Sequence, residues 1–271
     1  MAILRLPWRK RAVDYPPLSD NLWSEVAFGR SCLLSLTGED ALRLRSLASW
    51  FLEDRAFRSV AGATPDDSDR ASIALLACLP ILNLGEGWYR DWKTILLEPD
   101  GFVHRMETID SAGVVNEYDD ELSGRVTEMG PVILSLRDVR ESGFGDGYDV
   151  VIHEMAHKLD ERDGCLDGVP PLRRGMSRRR WQEAFSLAFN DLRTRARKAG
   201  DRRGHTRGKR LPMDEYAAES PEEFFAVACE HFFGTPERLM AAYPDVYRLL
   251  SEFFMMDPRM RTLPGMPGKI S

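Results

Sequence analysis

The first 90 or so positions repeat apolar residues at helical spacing. Ser19 precedes Leu22, Trp23 and Val26, which fall on one side of a helix. Thr37 and Asp40 resemble a capping box, and Ala41, Leu44, Leu47, Ala48, Phe51 and Leu52 then recur three and four apart. Another helix is predicted to start near Asp66, after Pro65, and to end near Pro80. The apolar run 71–84 is interrupted by Pro80 and is too short to span a bilayer, so it reads as a buried helix.

After Gly87 the pattern changes. Residues 94–97 and 102–106 read as short strands separated by Pro99-Asp100-Gly101, with a weaker strand over 114–117 and a strong one, PVILSL, over 131–136. From Tyr148 onward helices return. One is predicted over 148–161, ending at Asp163-Gly164. The next starts near Ser177, with Trp181, Ala184, Phe185, Ala188, Phe189 and Leu192 in a single stripe. A third opens at Ser220-Pro221, serine as cap and proline at the first helical position. A last one opens at Thr235-Pro236 and carries Leu249, Leu250, Phe253 and Phe254. The fold class predicted is α+β: a helical part over residues 1–90 and a catalytic part over 91–271, expected to pack as one unit.

Composition changes this picture little. A chain of 271 residues with 43% hydrophobic and 30% charged residues is globular, and a net charge of −6 counts against nucleic acid as a specific partner. Fourteen Lys/Arg lie between Pro171 and Arg210 against three acids, which reads as a solvated helix face followed by a mobile loop over 200–210. The four cysteines form no C-x-x-C pair, and no apolar run follows the basic residues near the amino terminus. A cytoplasmic protein with free thiols and no membrane partner is expected.

The chemistry concentrates at His153-Glu154-Met155-Ala156-His157, an H-E-x-x-H pattern that uses two of only five histidines. Residues four apart on a helix share a face, so both imidazoles can reach one metal ion, and Glu154 stands beside the first as candidate general base. Such a site needs three protein donors and one open position, and lowers the pKa of bound water toward ~7. The third donor is open among His205, Glu219, Glu222, Glu223, Glu230 and His231. No histidine follows His157 closely, and His205 lies in the basic, Gly-rich stretch, so a carboxylate on a second helix is preferred. Ser220-Pro221-Glu222-Glu223 reads equally well as a capping box in which Glu223 bonds back to the Ser220 amide and holds no metal. Asp160 is a weaker candidate for orienting a ligand imidazole, and His104 reads as structural; Glu230 and His231, two turns past Glu223, could sit below the metal as supporting groups, but packing and solvent are favoured.

The segments HEMAHKLDERDG (153–164) and YAAESPEEFFAVACEHFF (216–233) resemble those of the Mlc titration factor A family of bacterial zinc peptidases, and GPVILSLRDV (130–139) is similar to the strand before that family's active-site helix. The resemblance covers residues 20–260 or so. The second segment is also similar to the catalytic domain of anthrax lethal factor, where a tyrosine stands seven residues before a glutamate ligand. The resemblance implies a zincin-like fold with a small mixed sheet whose edge strand lines the cleft. It implies one Zn2+ per chain on His153, His157 and Glu223, with Glu154 as base and Tyr216 as catalytic tyrosine. It further implies aminopeptidase-like cleavage of a peptide or protein substrate, and binding of a glucose-responsive transcriptional repressor of the Mlc type. The alternative function is a regulatory protein that sequesters such a repressor, with peptidase activity secondary.

Overall fold

The computed structural model describes residues 11–36, 38–99, 130–200 and 211–260. Helix α1 (Asp20–Ala27) starts where Ser19 Oγ accepts the Leu22 amide at 3.3 Å. The short α2 (Ser31–Leu34) and long α3 (Gly38–Asp54) follow, and Thr37 of the predicted capping box lies outside the described residues. The chain then enters strand β1 (Ala56–Ser59) and helix α4 (Asp67–Cys78). A reciprocal capping box opens α4: Asp66 accepts from the Asp69 amide at 2.8 Å, and Asp69 from the Asp66 amide at 3.1 Å. Every residue from Ala71 to Cys78 is buried, as the apolar run requires.

Strand β1 corrects the expectation of a purely helical amino-terminal part. It pairs in parallel with β2 (Thr94–Glu98), Ala56 opposite Thr94, and β2 pairs in parallel with β3 (Val132–Ser135), Ile95 opposite Val132. The order is β1-β2-β3, with α4 in the crossover between the first two. Four residues with a mostly exposed pattern carry no alternation to read, so Ala56–Ser59 becomes a strand only through its partner. The three described strands are all parallel. The segments 102–106 and 114–117, on which a mixed sheet would draw, lie outside the described residues.

Ser135 ends β3 and caps α5 (Leu136–Glu141), accepting the Asp138 amide at 3.2 Å. Helix α6 (Val150–Asp160) is followed by a 3-10 turn that stops at Gly164, whose φ of 89° suits glycine. Helix α7 (Arg178–Gly200) is longer than its predicted stripe, and the predicted loop beyond it lies outside the described residues. Helix α8 (Pro221–Gly234) opens at Ser220-Pro221 as read from the sequence. The single last helix is in fact two, α9 (Pro236–Ala242) and α10 (Pro244–Phe254). Pro244 has no N–H to continue the ladder, and Tyr243 leaves helical geometry at φ −136°. Among the described residues, no helix is long and apolar enough to cross a membrane.

The core is built around α8. Phe224, Phe225, Phe232 and Phe233 are all buried. Trp181 of α7 stacks on Phe185 with centroids 4.4 Å apart, meets Phe225 at 6.0 Å, and donates its indole N–H to Gly168 O at 2.9 Å. On the other side Phe232 lies 5.2 Å from Tyr247 and 5.5 Å from Phe254 of α10. Helix α6 packs against α8, α4 and β3, which places it between the sheet side and the carboxy-terminal helices. Removing the Trp181 ring leaves a cavity and an unpaired Gly168 carbonyl, so Trp181→Ala should cost about 3–5 kcal/mol of unfolding free energy. Urea denaturation checks this, and Trp181→Phe should lose less.

Candidate metal centre

Helix α6 starts where Asp149 Oδ1 accepts the Ile152 amide at 2.9 Å. Val151, Ile152, Met155, Ala156 and Leu159 fill the buried faces. His153, Glu154 and His157 are half-buried and line a cleft of about 1010 Å³. One turn apart, the two imidazoles lie 4.8 Å between centroids and 81° between planes, and their Nε2 atoms approach to 3.2 Å.

Helix α8 brings the third group. Ser220 Oγ accepts the Glu223 amide at 3.4 Å, the forward half of a capping box. The return half is not formed. The Glu223 carboxylate turns to the histidines instead, with Oε2 3.1 Å from His153 Nε2 and 3.5 Å from His157 Nε2. The capping and ligand readings of this turn are therefore compatible: serine caps the backbone and the carboxylate is free to serve the cleft.

Among the described residues, Glu223 Oε2 is buried with only the two imidazoles close to it. One nitrogen each from His153 and His157 and an oxygen from Glu223 thus converge on one another, an arrangement suited to holding a cation at its centre. Zinc bonds of about 2.0–2.1 Å at tetrahedral angles place their donors about 3.3 Å apart, close to the separations found here. The donor set fits such an ion, which His153, His157 and Glu223 would hold on the cleft wall.

Electrostatics point the same way. Burial alone would lower the His153 pKa, but Glu223 and Glu230 outweigh it and push it up to about 10. Burial would raise Glu223, yet His153 and His157 hold it well below the usual carboxylate range. Without a metal, a proton on the imidazole takes the place of positive charge.

Tyr216 sits in a 3-10 turn, Glu215–Ala218, fixed by Asp214, whose Oδ1 accepts the Tyr216 amide at 2.9 Å. Its ring lies 5.9 Å from that of His153 and lines the cleft. Burial and then the adjacent Glu223 carboxylate push its hydroxyl pKa up, so it stays a hydrogen-bond donor at neutral pH.

Glu230 corrects the sequence reading. It is buried rather than solvated, its Oε1 lies 2.9 Å from His153 Nδ1, and its Oε2 accepts the Asp149 amide at 2.6 Å. The signal available was its spacing, seven residues after Glu223 and so on the same helix face. Asp160 is buried and accepts the Gly168 amide at 2.7 Å, and among the described residues no hydrogen bond reaches the buried His157 Nδ1, so the weaker candidate does not hold that imidazole directly. His231 turns to Thr235, with Nδ1 and Oγ1 2.5 Å apart, and burial followed by Arg238 lowers its pKa to about 4. Glu222 lines the cleft beside Glu223, Glu219 is exposed, and His104 and His205 lie outside the described residues.

Comparison with known proteins gives the family. The model of the glucose-regulated metallo-peptidase M90 family matches residues 5–255. The chain belongs to this family. Among its relatives, Mlc titration factor A of Salmonella arizonae is 32% identical over 262 residues, covering 96% of this chain and 99% of that protein. Mlc titration factor A of Escherichia fergusonii is 33% identical over 262 residues, covering 96% and 94%. That of Enterobacter sp. (strain 638) is 32% identical over 274 residues, covering 99% and 98%. Every segment of this M90 chain that supplies a group to the centre falls inside the matched span.

A pH dependence follows for the metal-free M90 chain. A histidine with a raised folded pKa stabilises the fold below its unfolded value, and that contribution is lost as pH rises through the folded one. Chelated protein should therefore lose thermal stability between about pH 6.5 and 10. His153→Ala should flatten that slope in thermal melts across the same range.

Proposed function

We propose that this M90 chain is a zinc-dependent peptidase of zincin-like fold, aminopeptidase-like in its preference, with one Zn2+ held by His153, His157 and Glu223. The observation that carries this reading is the convergence of His153 Nε2, His157 Nε2 and Glu223 Oε2, 3.1–3.5 Å from one another, on the wall of an open cleft. Zinc, when bound, would act as a Lewis acid toward the scissile carbonyl and bring the pKa of a bound water toward ~7. Glu154 takes the proton of the attacking water and returns it to the leaving amine. Tyr216 donates its hydroxyl proton in a hydrogen bond to the carbonyl oxygen as negative charge develops there. Asp146, Asp214, Glu215 and Glu222 also line the cleft and favour a cationic α-amino group, which supports the aminopeptidase preference. The catalytic part is residues 91–271, supported by residues 1–90, in a cytoplasmic setting that keeps the thiols reduced.

The purified protein should hold about one zinc per chain, and His153→Ala or His157→Ala should remove it. Metal analysis of a correctly folded protein that finds no zinc, together with indifference to chelators, would sink the reading. Glu154→Gln should keep zinc and lower peptide hydrolysis by orders of magnitude.

The Ser220–Glu223 turn gives a sharper test. Glu223→Ala should lose zinc, whereas Ser220→Ala should keep it and cost on the order of 1 kcal/mol of stability. Tyr216→Phe should keep zinc and turn over more slowly. A Glu223→Ala protein with full zinc and full activity would move the third ligand elsewhere.

The relatives' name favours a second reading, in which the chain binds a transcriptional repressor of the Mlc type and cleavage is secondary. Binding of that repressor to Glu154→Gln protein separates the two activities. Binding retained with hydrolysis lost would show that sequestration does not need the peptidase centre.

A further inference from the structure

We propose that Glu230 is a positioning residue for the metal centre, which it serves by fixing the plane and the tautomer of His153. This rests on the reading of His153 as a ligand. Residues 223 and 230 are two turns apart on one face of α8, about 10.5 Å along the helix axis. The His153 imidazole of α6 fits into that gap, with Nε2 toward Glu223 at 3.1 Å and Nδ1 toward Glu230 at 2.9 Å. With Nδ1–H donated to Glu230, the Nε2 lone pair can only face the centre. The other oxygen of Glu230 accepts the Asp149 amide, and Asp149 is the residue that caps α6. One buried carboxylate thus sets both the start of the helix that carries the histidines and the rotation of the first ring. Among the described residues His157 has no equivalent support, since no hydrogen bond reaches its buried Nδ1. Aim within the pair therefore comes from Glu230.

The chemistry makes glutamine a sharp probe. Both oxygens of Glu230 accept, one from a ring N–H and one from a backbone N–H. An amide in the same place offers one acceptor and one donor, so either the Asp149 amide or the ring must face an NH2 group.

The test uses full-length protein, with zinc affinity measured by competition against a chromogenic chelator. Glu230→Gln, Glu230→Ala and His153→Ala are compared with the unaltered chain at a temperature where circular dichroism shows all to be folded. The Nδ1–H proton resonance of His153 is followed in the zinc-loaded samples. Glu230→Gln and Glu230→Ala should bind zinc on the order of 10–100-fold more weakly than the unaltered chain. The downfield, slowly exchanging Nδ1–H signal should be lost in both. Unchanged affinity and an unchanged signal, with His153→Ala still losing zinc, would overturn the role of Glu230 and leave the metal site intact. A lower melting temperature without weaker zinc binding would also overturn it, because a purely structural carboxylate predicts that result. Zinc retained by His153→Ala would remove the ligand itself and both readings with it. Should Glu230→Ala fail to fold, the isosteric Glu230→Gln decides.

Discussion

The imidazole of His153 is gripped across both nitrogens by carboxylates from a single face of α8, and the rest of the centre depends on that grip. Two buried carboxylates so close together are costly unless positive charge and hydrogen bonds answer them. His153 answers both at once, and the metal that fits between the Nε2 atoms and Glu223 answers more completely. The site therefore holds its own counter-charge, and the fold around it has to keep α6 and α8 in register to within a fraction of an ångström.

That register comes from apolar packing. The residues between and beyond the two carboxylates, Phe224, Phe225, Phe232 and Phe233, are buried against α7 on one side and α10 on the other. Burial of each such ring contributes roughly 1.5–3 kcal/mol, which offsets part of the cost of the buried acids on the same helix. Behind α6 lies α4, buried along most of its length, and beside it β3 of the parallel sheet. Helix α4 and strand β3 thus form the wall against which the helix carrying His153 and His157 is set.

Ser220 shows how one short segment meets two demands. The start of a helix needs an acceptor for its free amides, and the centre needs a carboxylate. Serine meets the first with its hydroxyl, and Glu223, released from the return half of a capping box, meets the second. Tyr216 reaches the same cleft from the preceding turn, so eight residues of chain, 216–223, bring a phenol and a carboxylate there together.

Local physics in the sequence determined much of this. The one-turn spacing of His153 and His157, the cap at Ser220-Pro221, the stripe of α7 and the buried run of α4 all follow from contacts within a few residues. The turn at Pro244 was equally local, although helical periodicity on both sides hid it. The partners of the site were decided only in three dimensions. A glutamate three residues past a serine has the same spacing as cap or as ligand, and only the approach of α6 brings its carboxylate to within 3.1 Å of His153. Glu230 lies 77 residues from the ring it contacts, and its identity in sequence is that of any acid near a helix end. Ala56–Ser59 has no strand pattern of its own and acquires one from β2. Interactions within a helical turn are written in spacing, whereas interactions between elements exist only once packing has fixed their distance and rotation.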